Sequence, residues 1–170
     1  MNSARETGTI RIVLCDDVAE LRRILREVLE ENPGVEVVDE AGTGRECVRI
    51  VAERRPDVVL LDLSMPDMDG LEALPLIAQA SPGTRIVVFS GFAADRMRDP
   101  VLERGADLYL EKGIPLDALV DAVCALVRGD GPASDASGDD GRPGGGGQRL
   151  RAASAGRRAW RRPLPGFSPG

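Results

Sequence analysis

Apolar residues run through this chain in two rhythms that take turns. Residues 9–15 form a short, mostly apolar run rich in β-branched side chains, the pattern of a strand. Leu21, Ile24, Leu25, Val28 and Leu29 then recur at helical spacing between charged residues, which predicts an amphipathic helix with one buried stripe. Asn32-Pro33-Gly34 stops it. A strand follows over 35–39, and Thr43 with Glu46 three residues on offers a capping box for a helix through Arg54, ended by Pro56. Val58, Val59, Leu60 and Leu61 stand between aspartates and read as a strand buried on both faces. The alternation continues with a helix over about 70–80, a strand over 85–90, a weaker helix over roughly 94–104 and a strand over 107–111. Leu116, Leu119, Val120, Val123, Cys124 and Val127 line one face of a last helix.

Five strands alternating with five helices through short connections imply a parallel sheet with helices on both faces, because each right-handed crossover needs its helix. Ligands of such α/β sheets bind beyond the carboxyl ends of the strands. Polar residues collect on that edge: Asp16 and Asp17 after the first strand, Asp62 after the third, Ser90 ending the fourth and Lys112 after the fifth. Taken singly, each has a plain structural role; Ser90, for instance, would cap the turn before Gly91. Four such termini on one edge favour a site. The stretch 65–70, Met-Pro-Asp-Met-Asp-Gly, supplies turn formers where the strand carrying Asp62 ends.

Composition narrows the picture. A chain of 170 residues, 42% hydrophobic, suffices for one ordinary domain with residues to spare. The net charge of −6 divides unevenly: residues 1–127 carry −10 and residues 128–170 carry +4. An acidic body argues against nucleic-acid binding by the folded part. No run approaches the roughly 18 to 20 apolar residues of a membrane span, and the start lacks a signal peptide's apolar core, so a cytoplasmic protein with no membrane association is expected. Cys15, Cys47 and Cys124 are odd in number and far apart; each is expected to pack as a small hydrophobe rather than to form a disulfide framework. The absence of histidine removes imidazole bases and most zinc sites.

Chemistry must therefore rest on carboxylates, hydroxyls and cations. Two bare carboxylates about 4 Å apart repel by roughly 4 kcal/mol at an effective dielectric of 20, so three of them call for a cation. All-oxygen donors with room for water suit Mg²⁺. Lys112 is the single lysine beside 21 arginines, and a compact ammonium at a strand end suits a phosphoryl oxygen better than a planar fork would. Metal, ammonium and hydroxyl around one carboxylate are the parts that stabilise a phosphoryl group moving onto an aspartate, with Asp62 the candidate nucleophile.

Asp16-Asp17, Asp62 with the loop 65–70, Ser90-Gly91 and the stretch 105–112 together resemble the receiver domain of bacterial two-component response regulators, with Asp62-Leu63-Ser64-Met65-Pro66 similar to the NarL-type subfamily. The likeness spans about 9–127, between a flexible start at 1–8 and a tail at 128–170. It implies a flavodoxin-like fold, strand order 2-1-3-4-5. It further implies that Asp62 accepts a phosphoryl group from a phosphohistidine on a sensor histidine kinase or phosphotransfer protein. Asp17 and Asp62 would bind Mg²⁺ directly, Ser64 through its backbone carbonyl, and Asp16 through the ion's water. Lys112 would pair with the phosphoryl oxygens, Ser90 would swing to them, and Tyr109 would turn inward, remodelling the face of fourth helix, fifth strand and fifth helix, through which a homodimer could form. Gly113 stands where many receivers have proline, so no cis peptide is expected there. Pro75 and Pro100 fall inside helical patterns, each expected to kink or break its helix.

Residues 128–170 are Gly-, Pro- and Arg-rich and read as disordered, with one basic aromatic patch at 157–162. NarL-type regulators usually continue into a helix-turn-helix domain, but no helical periodicity of that length follows; a shifted reading frame over a lost output domain is one account. Three functions compete. The first is a phosphoacceptor signalling domain, not an enzyme. The second is a truncated or divergent DNA-binding transcription regulator, with weak nucleic-acid binding through the tail. The third is a Mg²⁺-dependent phosphatase with an aspartyl-phosphate intermediate, disfavoured because no acid lies two residues from Asp62.

Overall fold

Val58–Leu61, the one strand apolar at every position, lies at the centre of the sheet, and the other elements close around it. The computed structural model describes residues 8–129; the expectations for 1–7 and 130–170, the basic patch included, lie outside them. The elements are β1 (Ile10–Cys15), α1 (Ala19–Glu30), β2 (Val35–Ala41), α2 (Gly44–Arg54), β3 (Val58–Leu61), α3 (Gly70–Ala80), β4 (Arg85–Ser90), α4 (Ala94–Glu103), β5 (Leu108–Glu111) and α5 (Leu116–Arg128). All strand pairs are parallel, in the order β2-β1-β3-β4-β5. That is the expected flavodoxin-like order.

Successive strand residues point to opposite faces, so the same strands feed two cores. Val13, Val59, Leu61, Ile86 and Val88 pack with Ile50, Val51, Leu74, Ile77 and Val101 under α2, α3 and α4. Ile12, Leu14, Leu60, Val87 and Phe89 pack with Leu25, Leu29, Leu119 and Val123 under α1 and α5. Each such aliphatic side chain, fully buried, contributes about 1.5–3 kcal/mol. No helix among the described residues is long and apolar enough to cross a membrane.

Three local expectations are corrected. Thr43 does cap α2, its hydroxyl accepting from the Glu46 N–H at 3.2 Å, but the Glu46 carboxylate turns to the N–H of Gly42 at 3.0 Å instead of closing the box on Thr43. A full reciprocal box opens α3, between Asp69 and Glu72. Pro75 and Pro100 lie inside α3 and α4, and both helices continue through them. Both prolines are exposed, so water can serve the carbonyl that each deprives of its donor. Lastly, Cys15 and Cys47 are joined by a disulfide, with Cα atoms 5.9 Å apart. A separation of 32 residues hid the pair, which meets because α2 packs beside the end of β1. Cys124 is free and buried, as expected.

Candidate functional site

Ladder hydrogen bonds bring the strand ends level. The N–H of Asp62 donates to the Cys15 carbonyl at 2.8 Å, the N–H of Asp16 to Ala41 at 3.1 Å, and the N–H of Lys112 to Ser90 at 2.7 Å. Side chains that leave the sheet after these residues therefore share one rim.

Asp16, Asp17 and Asp62 each present a carboxylate oxygen within 4.8 Å of the others, with Asp16 and Asp62 buried and Asp17 exposed. Lys112 leans across the cluster: its Nζ lies 2.6 Å from Asp16 Oδ2 and 3.1 Å from Asp62 Oδ2. Asp16 is held further by the Val18 N–H on Oδ1 at 2.9 Å, and Arg22 Nη1 fastens its carbonyl at 2.6 Å. Asp62 Oδ1, in contrast, is buried with no hydrogen-bond partner. Three carboxylates against one ammonium leave the site short of positive charge.

The titration behaviour agrees. Burial pushes the Asp62 carboxyl above the ordinary aspartate range; Lys112 draws it partly back, and the neighbouring Asp16 carboxylate pushes it further up. For Lys112, burial alone would favour the neutral amine, but the bonds to Asp16 and Asp62 outweigh it and hold the ammonium above the usual lysine range. A buried, electron-rich oxygen beside other hard oxygen donors is what a small divalent cation fits.

Ser90 is fully buried, with Oγ accepting from the Phe92 N–H at 3.4 Å. Tyr109 is also buried, its hydroxyl donating to the Phe92 carbonyl at 2.7 Å, so its ring lies inward in this structure. Ser64 follows two residues after Asp62 in the exposed part of the loop. That loop is pinned: Gly70 donates to the Leu63 carbonyl at 3.0 Å, and Asp67 takes a left-handed φ of 64°. Gly113, after Lys112, adopts φ 118°, a conformation glycine reaches freely, and no described peptide bond is cis.

The family model of the response regulator receiver domain matches residues 12–124. This chain belongs to that family. The receiver is 40% identical over 121 residues to the transcriptional regulatory protein LiaR of Bacillus subtilis, an alignment covering 71% of this chain and 57% of LiaR. The chain thus spans little more than half the length of that relative. It is 34% identical to the chemotaxis protein CheY of the same organism, over 66% of this chain and 93% of CheY. The crystal structure of a LuxR-family two-component response regulator from Aurantimonas superposes with a TM-score of 0.68 at 34% identity, covering 72% of this chain and 87% of that one.

Two contributors escaped the sequence reading. Glu111 accepts the Ala94 N–H and so caps α4, whose own N-cap residue, Ala93, has no side chain to do it. An acid beside a lysine at a strand end reads as a solvated pair, and nothing local betrays the reach to α4. Arg22 was one of many helix arginines. Its spacing of six from Asp16 puts it one turn into α1, which is a usable signal only once Asp16 is singled out.

Proposed function

We propose that the receiver, over residues 9–127, takes a phosphoryl group onto Asp62 from a phosphohistidine of a sensor kinase or phosphotransfer protein. The observation that carries this reading is the unpartnered Asp62 Oδ1, buried beside Asp16, Asp17 and Lys112. Asp16, Asp17 and Asp62 would hold Mg²⁺, with the Ser64 carbonyl, and the ion's part is to neutralise charge on the phosphoryl oxygens. An Asp62 oxygen attacks phosphorus as the P–N bond to the histidine breaks, and the imidazole leaves with the bonding pair and takes up a proton. Lys112, displaced from one carboxylate, pairs with a phosphoryl oxygen.

Signalling follows from what Ser90 gives up. Its Oγ accepts from the Phe92 N–H, and donating its own proton to a phosphoryl oxygen would turn the hydroxyl away from that amide. Phe92 is tied to Tyr109, and the next turn to Glu111, so a change at Ser90 is passed to α4 and β5. We assign the face of α4, β5 and α5 as the output surface, with a homodimer as one use of it.

Incubation with Mg²⁺ and acetyl phosphate tests the reading by intact mass. One added phosphoryl is expected, absent in Asp62→Asn and after chelation; a label that persists in Asp62→Asn overturns the assignment. The regulator of transcription remains the second reading, supported by the +4 charge of residues 128–170 and the similarity to LiaR. Salt-dependent duplex binding that disappears with those residues would support it.

A further inference from the structure

The Cys15–Cys47 bond lies directly behind the acidic cluster, and its neighbours give it a route to the site. Cys15 is the last residue of β1: its carbonyl accepts the Asp62 N–H at 2.8 Å, and the next residue is Asp16. Cys47 is in the first turn of α2, its N–H donating to Thr43 at 3.0 Å. The same turn abuts the loop after Asp62. Gly44 donates to the Met68 carbonyl at 3.1 Å, and a Cβ at Gly44 would stand 2.3 Å from that oxygen, so no slack exists between helix and loop. The bond therefore closes a ring of contacts: the acid pair at the end of β1, α2, the loop 65–70, and Asp62.

Reduction replaces one covalent link by two thiols, which need more room than the bond they replace. Both cysteines are at most 1% exposed, in a core without space to spare. Room has to come from α2 moving off β1, and Gly44 carries that movement to Met68 and its loop. Disulfides are rare in reducing compartments except where they are transient or redox-sensing. Buried thiols are ordinarily inert, but here two of them lie at a Cα separation of 5.9 Å, within the span that a disulfide bridges, so a second thiol stands ready once the first reacts.

We infer that Cys15 and Cys47 form a reversible dithiol–disulfide pair that tightens the metal site when oxidised and loosens it when reduced. The inference rests on the phosphoacceptor reading of Asp62 for its consequence, not for its chemistry. With hydrogen peroxide as oxidant, one thiolate attacks an oxygen, the O–O bond breaks, and the hydroxide released takes up the proton the thiol lost, giving a sulfenic acid and one water. The other thiol then attacks that sulfur and releases a second water, so two electrons and two protons leave the pair for each peroxide reduced. A small-molecule dithiol reverses the step by exchange and is itself left as a disulfide.

The test uses the full chain, exposed to hydrogen peroxide or to dithiothreitol and freed of reagent. N-ethylmaleimide in denaturant followed by intact mass counts thiols. One adduct, on Cys124, is expected after peroxide and three after dithiothreitol. Mg²⁺ alone is then titrated and followed by amide chemical shifts. The oxidised chain should bind at least about fivefold more tightly, the low end of typical coupling between sites, and take up phosphoryl from acetyl phosphate correspondingly faster. Cys124→Ala should keep the difference and Cys47→Ala should lose it. Three adducts after peroxide, or coincident Mg²⁺ midpoints, overturn the inference without recourse to any variant. Separated midpoints with no phosphoryl uptake in either form would support the pair and count against Asp62 as acceptor.

Discussion

Asp62 is surrounded by more negative charge than Lys112 can offset. Its Oδ1 has no donor, Asp16 lies on the same ammonium, and both carboxylates are buried. Such a site is stabilised by removing a charge or by adding a cation. Asp62→Asn keeps the shape, removes the ion and leaves Lys112 on Asp16. In Mg²⁺-free buffer the variant should unfold at higher urea, by about 1–2 kcal/mol. Mg²⁺ should raise the midpoint of the natural chain, by linkage, and barely move the variant. A variant less stable than the natural chain without Mg²⁺ would mean that Lys112 needs both carboxylates and that the cluster is balanced as it stands. The carboxylates and Lys112 were legible in the sequence because strand termini of an alternating fold share an edge, and because one lysine among arginines is conspicuous. Glu111 was not, since its partner is a backbone N–H 17 residues away.

At the scale of elements, strands and helices announced themselves through periodicity, which is set by burial and survives any single residue. Their bounds differ from expectation by only a residue or two at most ends. What periodicity does not encode is how neighbouring elements touch. The Cys15–Cys47 bond and the abutment of α2 on the Met68 loop depend on which helix lies over which strand end, and so became visible only in three dimensions. Gly70 is a sharp case. It begins α3, and a Cβ there would stand 2.2 Å from the Asp62 carbonyl and 2.8 Å from Leu63 Cα, both backbone atoms. Gly70→Ala should cost about 3 kcal/mol in urea unfolding, because neither atom can yield without moving the end of β3. It should slow phosphoryl uptake as well; a neutral substitution would show that the loop can move off these atoms freely. Pro100 calls for the opposite change. It removes a backbone donor from the interior of α4, so Pro100→Ala should stabilise the receiver by about 1–3 kcal/mol and slow amide exchange across α4. Unchanged exchange would argue that α4 is held by Glu111 and Val101 alone.

For the whole molecule the decisive property is the separation of charge, −10 over residues 1–127 against +4 over 128–170. The described residues fill both cores by themselves, from Ile10 to Leu126, with α5 closing on Gly129 at φ 77°. Deleting residues 130–170 should therefore shift the urea midpoint by no more than about 0.5 kcal/mol, the range of changes remote from a core. It should leave phosphoryl uptake on Asp62 intact. The polyanion test separates the two functional readings. An acidic receiver repels duplex DNA, so any retention by the full chain must come from the basic segment, fall steeply between about 50 and 200 mM salt, and vanish on deletion. Retention that survives deletion would place a basic surface on the folded part, contrary to its charge. Retention that appears only after acetyl phosphate treatment would tie the segment to the state of Asp62 and favour a transcription regulator over a receiver that signals by protein contact alone.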